Sequence, residues 1–464
     1  MFIKMNKKIV LSLIVACFAF NLFSQSVSKF KEGERAVFLG NSITDGGHYH
    51  SYIWLYYMTR FPNMNLRIMS AGIGGDTAYD MLKRLDGDVF SKRPTTLITT
   101  FGMNDSGYYE YNGDKPKEFG EEKYQACLKN FKLMEKRFLE LPNTKIVMMG
   151  SSPYDESAKI KGNTVFKGKN SVMQRIVEFQ KQAAQENKWE FFDLNQPMTA
   201  INQKFQLQDS TFSICGPGRI HPDNDGHMVM AYLFLKEQGF TGDKVADVEI
   251  NASKNKIVKS TNCEVSGLKK NGNRFTFDYL ANSLPFPLDT VVRGWDVKKP
   301  QSDAIKYVPF MDEMNQESFK ITGLLGKYKL LIDEVEIGTW SAEELANGIN
   351  LAKETRTPQY QQALAIMYLN ETRWEIERNF RDYAWIQFGF FQQRGLLFAN
   401  NREALDVVDK EVGKNIWLKM QRNNYAQMIH PAVREIKEQQ MDLIITKIYE
   451  INKPLKRKIT LLKM

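Results

Sequence analysis

The sequence predicts an α/β fold with a mostly parallel sheet, followed by a β-rich segment and a helical region. Short apolar runs alternate with longer amphipathic stretches between Arg35 and Thr241. This alternation is typical of βα units, whose parallel strands are buried on both faces by helices. Strand patterns separated by turn residues begin near Asp243, and a helical period returns from Ser341.

Each element of this prediction depends on a local pattern. Five apolar runs of five or six residues suit buried strands: AVFLG at 36–40, LRIMSA at 66–71, TLITTF at 96–101, KIVMMG at 145–150 and WEFFDL at 189–194. Helical periodicity lies between them, as at 122–139 and 171–186. Further helices are predicted over 342–351, 358–393, 402–421 and 431–450. The predicted domains are therefore an α/β domain at 25–245, a β-rich accessory segment at 246–340 and a helical C-terminal region at 341–464.

The first 24 residues have the pattern of a secretory signal peptide. Three lysines precede an apolar stretch at 9–20 that is too short to span a bilayer comfortably. The sequence therefore predicts export to the periplasm or the medium. The run Ile14-Val15-Ala16-Cys17 resembles a lipobox, so a lipoprotein anchored at Cys17 is the alternative, and only in that case is a membrane predicted as a partner.

Composition and charge exclude several classes of protein. Hydrophobic residues make up 43% and charged residues 25% of the 464 residues, as in globular proteins. The net charge of +9 is spread along the chain, which argues against nucleic-acid binding. The basic run 453–458 is interpreted as a solvated tail. Four cysteines cannot form a disulfide scaffold, and the sequence does not predict an oligomeric state.

Polar and glycine-rich motifs follow the predicted strands, at the sheet edge where α/β proteins bind ligands. They are Gly40-Asn41-Ser42-Ile43-Thr44, Gly72-Ile73-Gly74-Gly75-Asp76-Thr77, Gly102-Met103-Asn104-Asp105 and Arg219-Ile220-His221-Pro222. Ser42 is positioned to be a nucleophile, Asn104 to donate to an oxyanion, and His221 to be a general base. Each motif alone also fits a helix cap, an Asx turn or a structural loop.

In combination and order, the four motifs resemble the four blocks of the SGNH (GDSL-type) hydrolases over residues 33–241. The resemblance implies a three-layer α/β/α sandwich of about five parallel strands and a serine esterase without metal or organic cofactor. Matched by position, Ser42 is the nucleophile and His221 the base. The oxyanion hole is then built from Ser42, Gly75 and Asn104.

One departure from the family pattern concerns the third catalytic residue. The last block normally reads Asp-x-x-His, but Gly218 stands three residues before His221. Three interpretations stay open: another acid orients the imidazole, with Asp223, Asp225 and Asp209 as candidates; a backbone carbonyl orients it; or the site is inactive. A second departure is Ser70, where the family often has Asn.

The expected substrate is a small-molecule or oligosaccharide ester, and the expected reaction is removal of acetyl groups from carbohydrates. Tyr108, Tyr109, His48 and His227 are the candidate substrate-binding residues because they flank the motifs. Tyr52, Trp54 and Met58 fall near helical spacing and are predicted to lie in the core. A catalytically impaired carbohydrate-binding module and a lipid or aryl esterase are the alternatives.

The helical C-terminal region contains a strongly aromatic stretch between Glu371 and Phe391. Its first interpretation is a core seam that packs helices onto the hydrolase domain. An oligomer interface and a wall of the catalytic cleft are the two alternatives.

Overall fold

The computed structural model describes residues 26–294 and 297–464, and a five-stranded parallel sheet lies at its centre. Its strands are β1 (Arg35–Gly40), β2 (Arg67–Gly72), β3 (Thr96–Thr99), β4 (Lys145–Gly150) and β5 (Glu190–Asp193), in the order β2-β1-β3-β4-β5. The β1 residues from Ala36 to Leu39 are fully buried, as expected for a strand covered on both faces. The five predicted strands are confirmed to within two residues at each end.

Helices cover both faces of this sheet. They are α1 (Ser42–Asp45), α2 (Tyr49–Arg60), α3 (Ala78–Lys83), α4 (Pro116–Leu139), α5 (Lys169–Asn187), α6 (Asn195–Gln206) and α7 (Asn224–Glu237). Every residue of α2 is buried, because this helix lies between the sheet and the C-terminal helices. The core positions predicted for Tyr52, Trp54 and Met58 are confirmed.

The β-rich part forms two further sheets around a core of their own. Their strands are β6 (Ala246–Asn251), β7 (Lys256–Thr261), β8 (Cys263–Asn271), β9 (Arg274–Ala281), β10 (Glu317–Thr322), β11 (Lys327–Ile332), β12 (Val335–Ser341), β13 (Ile349–Asn350) and β14 (Arg457–Lys463). One sheet has the order β13-β10-β6-β7 and the other β12-β11-β14-β9-β8. The intervening segments 284–294 and 297–314, which include α8 (Phe310–Glu313), pack instead against the hydrolase core.

Strand β14 departs from the sequence prediction. It pairs with β9 on one side and with β11 on the other. Ile459 and Leu461 are fully buried, so this stretch closes the accessory core. The basic run 453–458 is therefore not a solvated tail: Arg457 pairs with Asp333 and Lys458 with Asp278. The short apolar and β-branched run Ile459-Thr460-Leu461-Leu462 was the overlooked strand signal.

The C-terminal helices are α9 (Ala342–Asn347), α10 (Pro358–Ala384), α11 (Arg402–Glu411), α12 (Ile416–Met428) and α13 (Pro431–Ile451). A π-helical segment, Trp385–Phe391, continues directly from α10. The helix predicted over 402–421 is two helices, and Asn415 caps the second through its side chain. Helix α10 packs on α2, where Asn370 donates to the Ser51 hydroxyl at 2.9 Å.

The predicted signal peptide at 1–24 and the predicted lipid site at Cys17 lie outside the described residues. Cys127, Cys215 and Cys263 are buried free thiols. No helix within the described ranges is long and apolar enough to cross a membrane.

A pair of neighbouring leucines tests the structural role of β14. We expect Leu461→Ala to lower the free energy of unfolding by about 2–5 kcal/mol, because it opens a cavity in the accessory core. Leu462, which is 40% exposed, is the matched control, and Leu462→Ala is expected to change stability by less than about 0.5 kcal/mol. Urea unfolding of both variants measures the difference, and equal effects would contradict the assigned core position.

Candidate active site

Ser42 lies at the carboxyl end of β1, in the first position of α1. Asn41 caps this short helix, accepting a hydrogen bond from the Ile43 N–H at 3.0 Å. A Cβ at Gly40 would approach the Thr44 hydroxyl to 2.0 Å, and one at Gly72 would approach the Asp45 nitrogen to 2.2 Å. The two glycines therefore allow α1 to turn sharply against the ends of β1 and β2.

His221 is held by a loop that is anchored at two points before the histidine. Gly216 has a φ of +71°, and a Cβ there would approach the His221 carbonyl oxygen to 2.2 Å. The buried Arg219 side chain donates to the carbonyls of Asp155 and Ala158 at 3.0 and 2.7 Å. With the loop fixed in this way, the imidazole lies at the Ser42 end of the sheet.

The predicted nucleophile and base are in hydrogen-bond contact. The distance from Ser42 Oγ to His221 Nε2 is 2.8 Å, although the residues are 179 positions apart in sequence. Desolvation by the surrounding protein lowers the pKa of His221 below its ordinary value of 6.5, which favours the neutral imidazole. A neutral imidazole can accept the hydroxyl proton.

Oxyanion donors lie beside this pair. Gly75 has a φ of +89°, which only glycine adopts easily. A Cβ at Gly74 would lie 4.0 Å from Ser42 Cβ, so the second-block loop is adjacent to the nucleophile. The amide of Asn104 donates to the Asp76 carbonyl at 2.8 Å, which places it next to Gly75. Within the described residues, no protein acceptor takes the Ser42 or Gly75 N–H.

The orientation of the Asn104 amide follows from its partners. The Asp76 carbonyl can only accept, so the amide end that faces it must be the NH₂ group, and the Tyr108 hydroxyl then donates to Asn104 Oδ1 at 2.6 Å. One hydrogen of the NH₂ group is used on Asp76, and the second is left to face a ligand.

A buried lysine supports the same loop. Lys169 Nζ donates to the Ser106 hydroxyl and to the Gly107 carbonyl at 2.7 and 2.6 Å. It also lies 3.9 Å from the centre of the Tyr108 ring. Burial lowers the pKa of Lys169 to about 7.

Behind the site, a buried ion network fixes the ends of β1 and β2. Arg84 is bonded to the carboxylates of Asp76 and Asp88, and it also donates to the carbonyls of Gly40 and Ala71 at 3.1 and 2.9 Å. Burial raises the pKa of Asp76 to about 7, against the opposing attraction of Arg84.

The structure separates the predicted substrate-binding residues into two groups. Tyr109 is 80% exposed, and Tyr108 borders the site through Asn104. His48 and His227 are buried: His48 pairs with Glu371 at 3.2 Å, and His227 stacks on Tyr49. Because both rings are enclosed by protein, the structure gives no support to substrate contact by these histidines.

The three candidate orienting acids have different surroundings. Asp209 is exposed and accepts from Thr211. Asp225 accepts from the Gly226 N–H, lies 3.7 Å from Lys299, and has a pKa raised to about 6 by burial. Asp223 is buried and lies two residues after His221. It is the N-cap residue of α7, and its backbone carbonyl accepts a hydrogen bond from the His227 N–H. A Cβ at Gly218 would meet no atom of the described residues within 4 Å.

Sequence reasoning missed the residues that support the site from behind. Arg84 and Lys169 lie on helices or helix ends, where a charged residue normally indicates a solvated face. The sequence held only an indirect signal for these two residues. The strand ends and the Asn104 loop contain several backbone carbonyls, and buried carbonyls need hydrogen-bond donors such as Arg or Lys.

The fold and the site define a class of enzyme. Residues 38–229 match the model of the GDSL-like lipase/acylhydrolase family. A solved structure described as a gut microbial diltiazem-metabolizing enzyme is 66% identical, with a TM-score of 0.93; the match covers 95% of this chain and 100% of that one. The chain belongs to the SGNH (GDSL-type) family and is a carboxylesterase.

Two further matches concern the separate halves of the chain. Residues 364–453 match a model described as the diltiazem deacetylase C-terminal helical domain. An acetylxylan esterase from Geobacillus stearothermophilus is 28% identical over 230 residues, which are 46% of this chain and 97% of that protein. The similarity to the acetylxylan esterase therefore covers less than half of this chain.

The Tyr108 hydroxyl offers a test of how the Asn104 amide is oriented. We expect Tyr108→Phe to lower kcat up to about tenfold, the value of one hydrogen bond, with little change in KM. Tyr368→Phe alters a ring that is 47% exposed on α10, and it is expected to leave turnover unchanged. Steady-state hydrolysis of p-nitrophenyl acetate measures both variants, and equal kcat values would show that Tyr108 does not orient the amide.

Proposed function

We propose that the protein is a serine esterase that removes acetyl groups from carbohydrates or other small molecules through a Ser42 acyl-enzyme. The observation that carries this proposal is the 2.8 Å contact between Ser42 Oγ and His221 Nε2 beside the Gly75 and Asn104 donors. The name of the acetylxylan esterase and the name of the deacetylase domain model support acetyl as the acyl group.

In the first step, Ser42 Oγ forms a bond to the ester carbonyl carbon while its proton passes to His221 Nε2. The negative charge on the carbonyl oxygen is stabilised by the N–H groups of Ser42 and Gly75 and by the Asn104 amide. When this intermediate collapses, the alcohol leaves with the proton from His221. Water, deprotonated by the same imidazole, then attacks the acyl carbon. The bond from this carbon to Ser42 Oγ breaks as His221 returns the proton to Ser42 Oγ, and acetate is released.

We assign the orienting role to Asp223. It is buried, it lies two residues from His221, and Pro222 between them restricts the backbone. Asp209 is exposed and Asp225 faces Lys299, so both are weaker candidates. The proposal also includes export, which is supported by the charge and apolar pattern of residues 1–24.

The nucleophile is tested directly by substitution. We expect Ser42→Ala to abolish release of acetate from acetylated oligosaccharides and labelling by a fluorophosphonate, because the attacking oxygen is removed. Ser266→Ala, which alters an exposed serine on β8 of the accessory sheet, is the control and is expected to keep both activities.

Two outcomes would contradict the proposal. Turnover retained by Ser42→Ala would place the chemistry elsewhere. A folded native protein whose Ser42 is unreactive toward fluorophosphonate would indicate a non-catalytic ligand-binding module, the alternative suggested by Gly218.

The pH dependence follows from the state of His221. Only the neutral imidazole accepts the proton, and its pKa lies below 6.5. We therefore expect the acid limb of the kcat/KM profile to have its midpoint below pH 6.5. A pH profile of p-nitrophenyl acetate hydrolysis measures this; an acid limb centred near 7 would point instead to protonation of Asp76, whose pKa is about 7 and whose carboxylate pairs with Arg84.

A further inference from the structure

Three side chains on α10 and on the π-helical segment after it form successive hydrogen bonds to the backbone of β2 and of the loop that follows β2. Glu377 accepts from the Ser70 N–H at 2.8 Å. Arg381 Nε donates to the Gly72 carbonyl at 2.9 Å. Trp385 Nε1 donates to the Gly74 carbonyl at 3.1 Å. We call these three residues the helix ladder.

The three hydrogen bonds of the helix ladder can form together because the spacing of its side chains along the helix matches the spacing of their partners along the extended chain. Four residues of helix rise about 6 Å, and two residues of extended chain span about 6.6 Å. Glu377, Arg381 and Trp385 are four residues apart, and Ser70, Gly72 and Gly74 are two apart. Strand β2 is also the edge strand of the central sheet, so its outer groups need partners of this kind.

The ladder ends on the peptide bond between Gly74 and Gly75. The Gly74 carbonyl and the Gly75 N–H belong to one planar unit, so they point in opposite directions and turn together. Two glycines flank this peptide, and glycine imposes the weakest steric limit on rotation. A hydrogen bond to the Gly74 oxygen therefore also sets the direction of the Gly75 N–H.

The same helix also restrains the other side of Gly74. Asp45 accepts from the Gly74 N–H at 3.2 Å, and Arg378 is paired with Asp45. Arg381 is itself fixed by two 2.7 Å hydrogen bonds to Asp88. Gly74 is thus held from both sides by groups that depend on α10 and the segment after it.

We propose that Trp385 is a positioning residue for ester hydrolysis, because its indole N–H fixes the Gly74–Gly75 peptide with the Gly75 N–H directed at the oxyanion. A carbonyl that accepts a hydrogen bond also strengthens the donor at the other end of its peptide. The π-helical segment begins at Trp385, and π-helical turns are frequent at functional sites. The C-terminal helical region is in this respect part of the active site. The inference rests on the proposed serine mechanism.

The test removes the indole N–H and keeps the ring. We expect Trp385→Phe to lower kcat for p-nitrophenyl acetate about 10- to 100-fold, part of the value of a full oxyanion donor, with less than about threefold change in KM. Trp417→Phe is the matched control, because Trp417 is 50% exposed on α12, and it is expected to match the native enzyme.

A second substrate separates positioning from general damage. In the thiono analogue of p-nitrophenyl acetate, sulfur replaces the carbonyl oxygen and accepts hydrogen bonds weakly, so its hydrolysis gains little from the oxyanion hole. Trp385→Phe is expected to slow the ester much more than the thionoester. Equal slowing of both, or an unchanged kcat, would overturn the inference.

The two proposals fail in different ways. If Ser42→Ala retains turnover, the serine mechanism fails; if Ser42→Ala is inactive and Trp385→Phe is native-like, only the role of Trp385 fails. Should Trp385→Phe not fold, benzothienylalanine at position 385 replaces the N–H by sulfur at nearly the same shape, and the same outcomes apply.

Discussion

The carboxylate of Asp88 joins the parts of the molecule that meet at the active site. It is buried between Arg84, which follows α3, and Arg381, which lies on α10. Burial acts to raise the pKa of Asp88, but the attraction of Arg381, Lys92 and Arg84 holds it well below its ordinary value. The carboxylate therefore stays charged, and a buried charge that lost its partners would cost several kcal/mol. Its two arginines reach the backbone at the ends of β1 and β2, which lead directly to the catalytic loops.

Catalytic geometry is divided between two regions of the chain. The α/β domain alone brings Ser42 to His221, through the tight turn at Gly40 and the loop anchored by Arg219. The oxyanion side depends on both regions. Lys169 and Tyr108 of the α/β domain hold Asn104 and its loop, and the helix ladder of the C-terminal region holds the loop that carries Gly75. The catalytic motifs occupy less than half of the chain, and part of their support therefore comes from α10 and the segment after it.

Much of this arrangement could be predicted from local patterns. Short apolar runs predicted the buried strands. Because Ser42 and Asn104 directly follow two of these runs, they were predicted to lie at the carboxyl edge of the sheet. The contacts of α10 could not be predicted in this way. Arg381 and Gly72 are 309 residues apart, and the sequence around a helical arginine does not indicate which distant group it will bind. Within the aromatic stretch at 371–391, Trp374 and Trp385 contact the α/β domain, as the prediction of a seam expected. Tyr383, Phe390 and Phe391 instead belong to a separate core of the C-terminal helices. The alternative of a cleft wall came closest to the position of Trp385. His48 and His227 lie close to the motifs in sequence, but their side chains are buried in the fold, and sequence proximity does not predict burial.

The central place of β14 has a consequence for how the protein is made. Strands β9 and β11 emerge from the ribosome well over a hundred residues before the strand that must lie between them. Until residues 457–463 have been synthesised, both strands present open edges, which is the condition in which nascent β structure associates wrongly. Chaperone protection of this stage would therefore matter more for the accessory sheet than for the catalytic domain.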